Sequence, residues 1–416
     1  MSVATEPSAA LVKPTGARSY RIWLYFLLIL VVLSGARVFT GADDITSAGT
    51  LRAAIVAAIP IALAGLGGLW SERAGVVNIG LEGMMILGTL GAGYFTYHYG
   101  VWIGLIGAAA FGAVGGALHA LATVVFGVDH IVSGVAINII AAGVASFLAE
   151  ALFTGLPGGG PTQSPSLDRP PTLSIPGLNS FTADIADRGW FLISDFAALV
   201  NSLTAQMSWF TIVALVLIFG TGWLLWRTSF GLRLRSCGES PSAAETLGVN
   251  VYRYKFIAVT MSGVFAGMGG AYLAVVASSG YQNGQTGGRG YIGLAAMIFG
   301  NWRPGGLLTG SLLFGYTDAA RLRSGGESVH ALVLIVGLAL LAVAVWQLVR
   351  GARVMAAAAG LVGVLALFWY STTDRIPGDF TAMTPYVTTL LVLALASQQL
   401  RMPAADGQRY RRGEAG

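Results

Sequence analysis

The sequence predicts an all-α polytopic transmembrane helical bundle of about ten spans plus a re-entrant or broken helical hairpin, on three observations. Of 416 residues, 55% are hydrophobic and only 10% are charged, whereas a soluble domain carries about a quarter charged residues. Apolar runs near the ~20 residues needed to cross a hydrocarbon core recur along the chain. Most arginines stand at the ends of those runs, the distribution expected of cytoplasmic loops. Glycine is abundant, at 58 residues, and small residues let membrane helices approach closely where packing drives association. Gly112, Gly115 and Gly116 in FGAVGGALHA therefore read as structural.

Residues 1–21 read as a cytoplasmic tail carrying Lys13, Arg18 and Arg21. No cleavage motif follows the first apolar run, so it is expected to be a retained helix rather than a signal peptide. The transmembrane domain spans 22–398, with runs at 22–39, 51–70, 77–99, 101–126, 131–153, 208–226, 256–277, 329–347, 354–370 and 383–397. Residues 155–206, rich in Pro, Gly, Ser and Asp, form a large external loop with a surface helix around 191–203. That loop docks a partner or caps a pore; the sequence supports both. Residues 291–299 are apolar but about half the length of a span. A Gly/Pro turn over 300–306 follows, and 307–320 is apolar again. A short apolar piece beside such a turn reads as a re-entrant or broken helix, tolerated when buried in protein or lining a cavity. An even number of passes there places Arg350, Arg353 and the tail 399–416, with Arg401, Arg409, Arg411 and Arg412, on the cytoplasmic side. An odd number would move them outside and bring in only Arg321, Arg323 and Arg375. The even count satisfies the charge rule better and puts both termini in the cytoplasm.

Residues 227–255 form a basic, polar segment between two apolar runs. It contains a short helix with two possible starts: Ser240 as N-cap with Pro241 at the first position, or Ser242 as N-cap with Glu245 closing a capping box. Gly248 stands where a left-handed C-cap is wanted. A deliberate helix on the positively charged face is an offer to a soluble partner.

Catalytic chemistry finds little support. The only lysines are Lys13 and Lys255 and neither follows a glycine, so no Walker A loop exists. HExxH and GxSxG are absent, and His98, His119, His130 and His330 are scattered without metal-ligand spacing. No cofactor is expected. The single Cys237 excludes an intramolecular disulfide and reads as a free thiol. The net charge of +5 reflects loop arginines, not a nucleic-acid surface.

Polar groups at membrane depth are costly unless paired or wet, which singles out SERAGVVNIGLEG, residues 71–83. Glu72 and Arg73 read as interfacial anchors. Asn78 and Glu82 are four apart and would share a helix face, lining a translocation path; equally, Glu82 is a buried structural partner. Ser133, Asn138 and, in the 300–306 turn, Asn301 complete the path candidates, although Asn138 also suits helix–helix hydrogen bonding. Residues 281–285 and Arg289 lie at the outer mouth, and Asp318 is expected to pair locally with Arg321 or Arg323.

WSERAGVVNIGLEGMMILG (70–88), DHIVSGVAINIIAAGVASFL (from Asp129), GLRLRSCGESPSAAETLGVNV (from Gly231) and GRGYIGLAAMIFGNWRPGG resemble permease subunits of bacterial ABC importers for nucleosides and simple sugars. The resemblance covers most of 51–348, within the branched-chain amino acid/ribose/nucleoside permease superfamily. It implies a non-catalytic plasma-membrane subunit serving a nucleoside, or alternatively ribose or another simple sugar. It also implies a homologous second permease, two ATPase subunits and an external substrate-binding lipoprotein. By the same resemblance the segment 238–250 is the coupling helix, so Glu239, Ala243, Ala244, Glu245 and Gly248, with Ser240 and Pro241 at its start, would enter a cleft on the ATPase. The pair 354–370 and 383–397, with its loop 371–381, extends beyond the shared core. A stand-alone secondary transporter is the runner-up, but would show two similar halves with paired intramembrane carboxylates; Glu82 is the one firm intramembrane acid. A membrane enzyme would need clustered acid–base or metal residues.

Overall fold

Ser47 caps the most deeply buried of the long apolar helices. The computed structural model describes residues 19–381, 383, 384, 387, 388, 390 and 400–413. The cytoplasmic tail 1–18 and most of the expected span 383–397 lie outside these residues. Helix α1 (Ser19–Thr40) leads by a 3-10 turn into α2 (Ala48–Arg73), whose first turn is capped by the Ser47 hydroxyl accepting from Thr50 N at 3.2 Å. Helix α2 is the central post, with 78% of its apolar stretch buried. The end at which it finishes is called basal below, and the opposite end apical.

Helices α3 (Leu81–Tyr99), α4 (Val101–Ala120, continued as a π-turn to Val125) and α5 (His130–Phe153) follow. Beyond them come α8 (Trp209–Arg227) and α11 (Val251–Ala271, continued as a π-turn to Ala277). The α4–α11 seam is built from glycine: a Cβ on Gly263 would collide with the Gly112 carbonyl, and one on Gly267 with that of Ala108. That close approach is the small-residue packing expected in lipid. Helices α14 (Gly326–Val349) and α15 (Arg353–Thr372) pack on each other and are only 11% buried over their apolar stretches, so the added helix α15 is peripheral to the core.

Between α5 and α8 lie α6 (Leu178–Ala186), α7 (Ile193–Thr204) and a two-residue antiparallel pair, β1 (Thr172–Leu173) with β2 (Met207–Ser208). The expected surface helix at 191–203 is α7; α6 was not anticipated. Helix α6 packs on α7, and α7 rests on α1, where Arg37 Nε lies 3.1 Å from Asp195 of α7 and Arg37 Nη2 donates to the Gly189 carbonyl between the two helices. Ser34 also donates to Asp195. This buried polar tether closes the apical end.

Among the described residues seven helices are long and apolar enough to cross a membrane: α2, α4, α5, α8, α11, α14 and α15. The chain is a multi-pass helical membrane protein. The expected runs 22–39 and 77–99 are helical but fall outside that set. For α1 only Phe26–Thr40 belongs to the continuously described part, and this is shorter than a span. In α3 glycines, tyrosines and His98 dilute the hydropathy.

The expected run 77–99 needs a second correction. Its helix begins at Leu81, and residues 74–80 form a turn opened by Gly75 at φ +83°. Asn78 therefore precedes the helix, and it does not share a helical face with Glu82.

Helix α12 (Arg289–Phe299) is short, and α13 (Pro304–Ser324) returns along α2. A Cβ on Gly293 of α12 would meet Ile61 and Gly65, while Trp302 reaches Glu72 at the basal end. Thus α12 covers only the basal half of α2. Along α13, Gly310 faces α12 and Gly315 faces Ala54 and Ala58, so this helix covers the remaining length.

Candidate functional site

At the basal end α8 stops at Arg227, and Thr228 caps α9 (Ser229–Glu239) by accepting from Gly231 N at 3.2 Å. Helix α10 (Pro241–Thr246) follows, and Asn250 then caps α11 by accepting from Arg253 N at 3.1 Å. Helix α10 takes the Ser240/Pro241 register, although the Ser240 side chain makes no capping bond. The Ser242/Glu245 capping box does not form, because Ser242 lies inside the helix. Gly248 ends the segment at φ +81°, the left-handed conformation only glycine adopts cheaply.

One face of α10 is anchored and the other is free. Ala244 packs with Cys237 of α9 and Val251 of α11, and burial pushes the Cys237 thiol up to about 11. Ser242, Ala243, Thr246 and Gly248 are exposed, and Leu247 is 85% exposed at the tip. The flanking acids are engaged. Glu239 Oε1 lies 3.8 Å from Arg73 Nη1 and its Oε2 accepts from Ala404 N at 3.3 Å. Glu245 Oε1 accepts from Arg412 Nε at 3.1 Å. The Tyr410 hydroxyl, above all, holds the Glu245 carboxyl below its ordinary range.

Arg73 ties this segment to the bundle. Its guanidinium donates twice to the Trp302 carbonyl, at 2.9 and 2.7 Å. The indole of Trp302 donates to Glu72, which is 3% exposed. Glu72 and Arg73 are therefore a buried polar joint between α2 and the α12–α13 turn, not interfacial anchors. Asn301 sits in that turn at φ +55° and accepts from Arg401 N at 2.8 Å. It belongs to the basal joint.

The other path candidates meet deeper in the bundle. Asn78 Nδ2 donates to Ser262 Oγ at 2.7 Å and its Oδ1 accepts from Gly80 N at 2.9 Å. His119 bridges Ser133 Oγ at 2.8 Å and the Val77 carbonyl at 3.1 Å. Asn138 Oδ1 accepts from Gly83 N at 2.7 Å, while its Nδ2 donates to Ile79 O and to the Tyr291 hydroxyl. Asn78 and Ser133 are buried and fully engaged; Asn138 is half-buried. Glu82 receives Gly288 N at 2.9 Å and Gly290 N at 2.7 Å. Its carboxylate thus caps α12, at the end where the helix dipole favours negative charge. No arginine pairs with it among the bonds described.

Asp318 pairs with Arg321 at 2.8 Å, as the spacing suggested, and also reaches Arg289 at 3.4 Å. At the apical end a cavity of about 260 Å³ is lined by Arg52, Arg169, Gln206, Thr211 and Tyr272 among others, and by none of the path candidates. Among the described residues no three His, Cys, Asp or Glu side chains are grouped to hold a metal. The deeply buried Lys255, which donates to the Gly75 carbonyl at 3.4 Å, and the Glu72–Trp302 bond were not anticipated.

Residues 50–345 match the family profile of the branched-chain amino acid transport system permease component. The chain is 33% identical to the guanosine ABC transporter permease protein NupQ of Bacillus subtilis, over 87% of this chain and 96% of that protein. It is 32% identical to the nucleoside ABC transporter permease protein NupC of Lactococcus lactis, over 86% and 94%. A putative glucose ABC transporter permease protein, TsgC13 of Haloferax volcanii, is 35% identical over 67% of this chain and 78% of its own. No solved structure matches.

Proposed function

The chain belongs to the family of branched-chain amino acid transport system permease components, and from that premise we propose that it is the permease subunit of an ATP-driven nucleoside importer. The observation that carries the substrate class is the pair of relatives named for guanosine and nucleoside, each matched over most of both chains. The relative named for glucose, matched over a smaller share, keeps a simple sugar as the second reading.

The chain supplies transmission rather than hydrolysis. A cytoplasmic ATPase pair would receive the exposed face of α10, with Leu247 inserted and Glu239, Ser240, Pro241, Ala243, Ala244, Glu245 and Gly248 setting its shape. Helices α9, α10 and α11 follow one another with connections of one and four residues. A displacement of α10 therefore moves α11, and the glycine seam carries that motion to α4 without slack. A second, homologous permease would complete the pore, and an external lipoprotein would deliver substrate at the apical end. The basal end then faces the cytoplasm of the plasma membrane with both termini.

In this reading α12 is the broken half of a hairpin, its N-terminus held at depth by Glu82 and its C-terminus by the Glu72–Arg73–Trp302 joint. Asn78, Glu82, Ser133 and Asn138 then shape the wall of the path, with Asn138 and the Tyr291 hydroxyl its accessible polar pair. A neutral nucleoside needs only a weak path of this kind, because tight binding would slow release.

The test is affinity purification of the tagged chain from its native membrane in mild detergent, with mass spectrometry, followed by reconstituted uptake. Co-purification of an ATPase and a second permease, with ATP-dependent uptake of radiolabelled guanosine over glucose, is expected. Faster uptake of glucose would favour the sugar reading. Transport by the chain alone, without ATP, would overturn both in favour of a secondary transporter.

A further inference from the structure

Residues 400–413 form no helix or strand of their own, yet they lie along the basal face, contacting each element that converges on α10. Fixing an irregular segment costs backbone entropy at every residue, so its placement has to come from contacts. Those contacts are specific. Leu400 packs on the core cluster containing Trp302, and Arg401 N donates to Asn301 Oδ1 at 2.8 Å. Ala404 N donates to Glu239, and Ala405 N donates to the Gly238 carbonyl at 2.9 Å, engaging the end of α9. Asp406 is 8% exposed, with its carboxyl buried against Glu72 and within reach of the charges of Arg73 and Lys255. The Tyr410 ring lies 5.2 Å from that of Tyr252 on α11, and Lys255 Nζ sits 5.9 Å from its centroid. Finally Arg412 pairs with Glu245 on α10.

The geometry has one consequence for α10. That helix is six residues long, too short to be stable alone, and its own buried anchor is Ala244. The segment 400–413 grips it at both ends, through Glu239 and Gly238 on one side and Glu245 on the other. The same segment is fastened to α2 at Glu72 and to the α12–α13 turn at Asn301. We propose that residues 400–413 are a strap that positions the coupling helix, joining α10 to α2 and α12 so that ATPase motion reaches the half-helix as well as α11. The proposal rests on the reading of α10 as the ATPase contact. In it Tyr410, Asp406 and Arg412 are positioning residues that touch neither substrate nor nucleotide.

The test uses the complete reconstituted importer, with ATPase, second permease and binding lipoprotein, and reads nucleoside transported per ATP hydrolysed. Deletion of 401–416 and the single changes Tyr410→Ala and Asp406→Ala are compared with Tyr410→Phe, which keeps the ring stack. Loss of one aromatic contact and of the hydroxyl contact with Glu245 predicts a fall in the transport-to-hydrolysis ratio of about threefold to tenfold for Tyr410→Ala. A larger fall is expected for the deletion, and a smaller one for Tyr410→Phe, which keeps the ring stack but loses the hydroxyl contact with Glu245. A purely structural role would lower the amount of complex and leave the ratio per complex unchanged, and that result overturns the proposal. If the deleted chain does not insert, Tyr410→Ala and Asp406→Ala at wild-type membrane levels decide alone. Leu247→Asp is the control: if it leaves ATPase association and coupling intact, the reading of α10 fails, and the strap has no docking helix to position.

Discussion

Glu82 shows what a residue's chemistry fixes and what its sequence position leaves open. An isolated acid in an apolar setting announced a buried partner or a wet path, but the partner is a pair of backbone N–H groups 206 and 208 residues away. No local pattern encodes that pairing. Glu82→Gln removes the charge that complements the α12 dipole and leaves one acceptor for two donors. It is expected to cost about 1–2 kcal/mol, seen as a lower melting temperature of the purified complex with reduced uptake. An unchanged melting temperature with lost uptake would assign Glu82 to the path instead. Asp406 makes a pH prediction of definite sign. Burial pushes its carboxyl up to about 7 from 3.8, against the pull of Glu72, the Gly407 N–H, Lys255 and Arg73. The docked strap therefore favours the protonated acid. Its stabilisation is full below about pH 4, where the free carboxyl is also protonated, and is lost as pH rises through about 7. A fluorophore on a cysteine at Gly413 should gain mobility between about pH 6 and about pH 8, and Asp406→Asn should abolish that change.

At the scale of elements, legibility followed the strength of local signals. The spans that became α2, α4, α5, α8, α11, α14 and α15 were visible as apolar length, and α10 was visible through Pro241 and Gly248. Helix α9 was overlooked because glycines and arginines break its apolar run, although Phe230, Leu234 and Cys237 follow helical spacing and line its packed side. The start of α3 was placed four residues early because hydropathy does not register where a backbone turns; Gly75, at positive φ, was the available sign. The stop at Gly248 yields the prediction for this scale. Valine there would have to adopt a left-handed conformation at a cost of roughly 1–3 kcal/mol. It would relax by redirecting the α10–α11 connection. Gly248→Val should thus keep its membrane level while losing most ATP-driven uptake, a combination that immunoblotting and transport assays on the same vesicles separate. Equal uptake per molecule would remove the coupling role from this connection.

For the whole molecule the proposed importer raises the question of which face would meet an ATPase, and two distant pieces of sequence bear on it. Leu247 and residues 400–413 share the basal end, joined by the Arg412–Glu245 pair, while Ile175 in the loop between α5 and α8 is at the apical end and 45% exposed. Arg73, Arg227, Arg233, Arg235 and Arg253 gather at the basal end, which the charge rule assigns to the cytoplasm. That orientation needs an even number of passes through α12 and α13, which holds if α12 descends along half of α2 and α13 climbs its length. The native thiol makes this measurable without removing it. Cys237 is buried, and its raised pKa leaves almost no thiolate near neutrality, so it should not react with a membrane-impermeant maleimide. Single cysteines at Leu247 and Gly413 should label in inverted vesicles, and one at Ile175 in intact spheroplasts. Labelling of Leu247→Cys and Gly413→Cys from opposite sides would contradict the strap. Labelling of both from outside would invert the whole assignment and place the exposed face of α10 where no cytoplasmic ATPase could reach it.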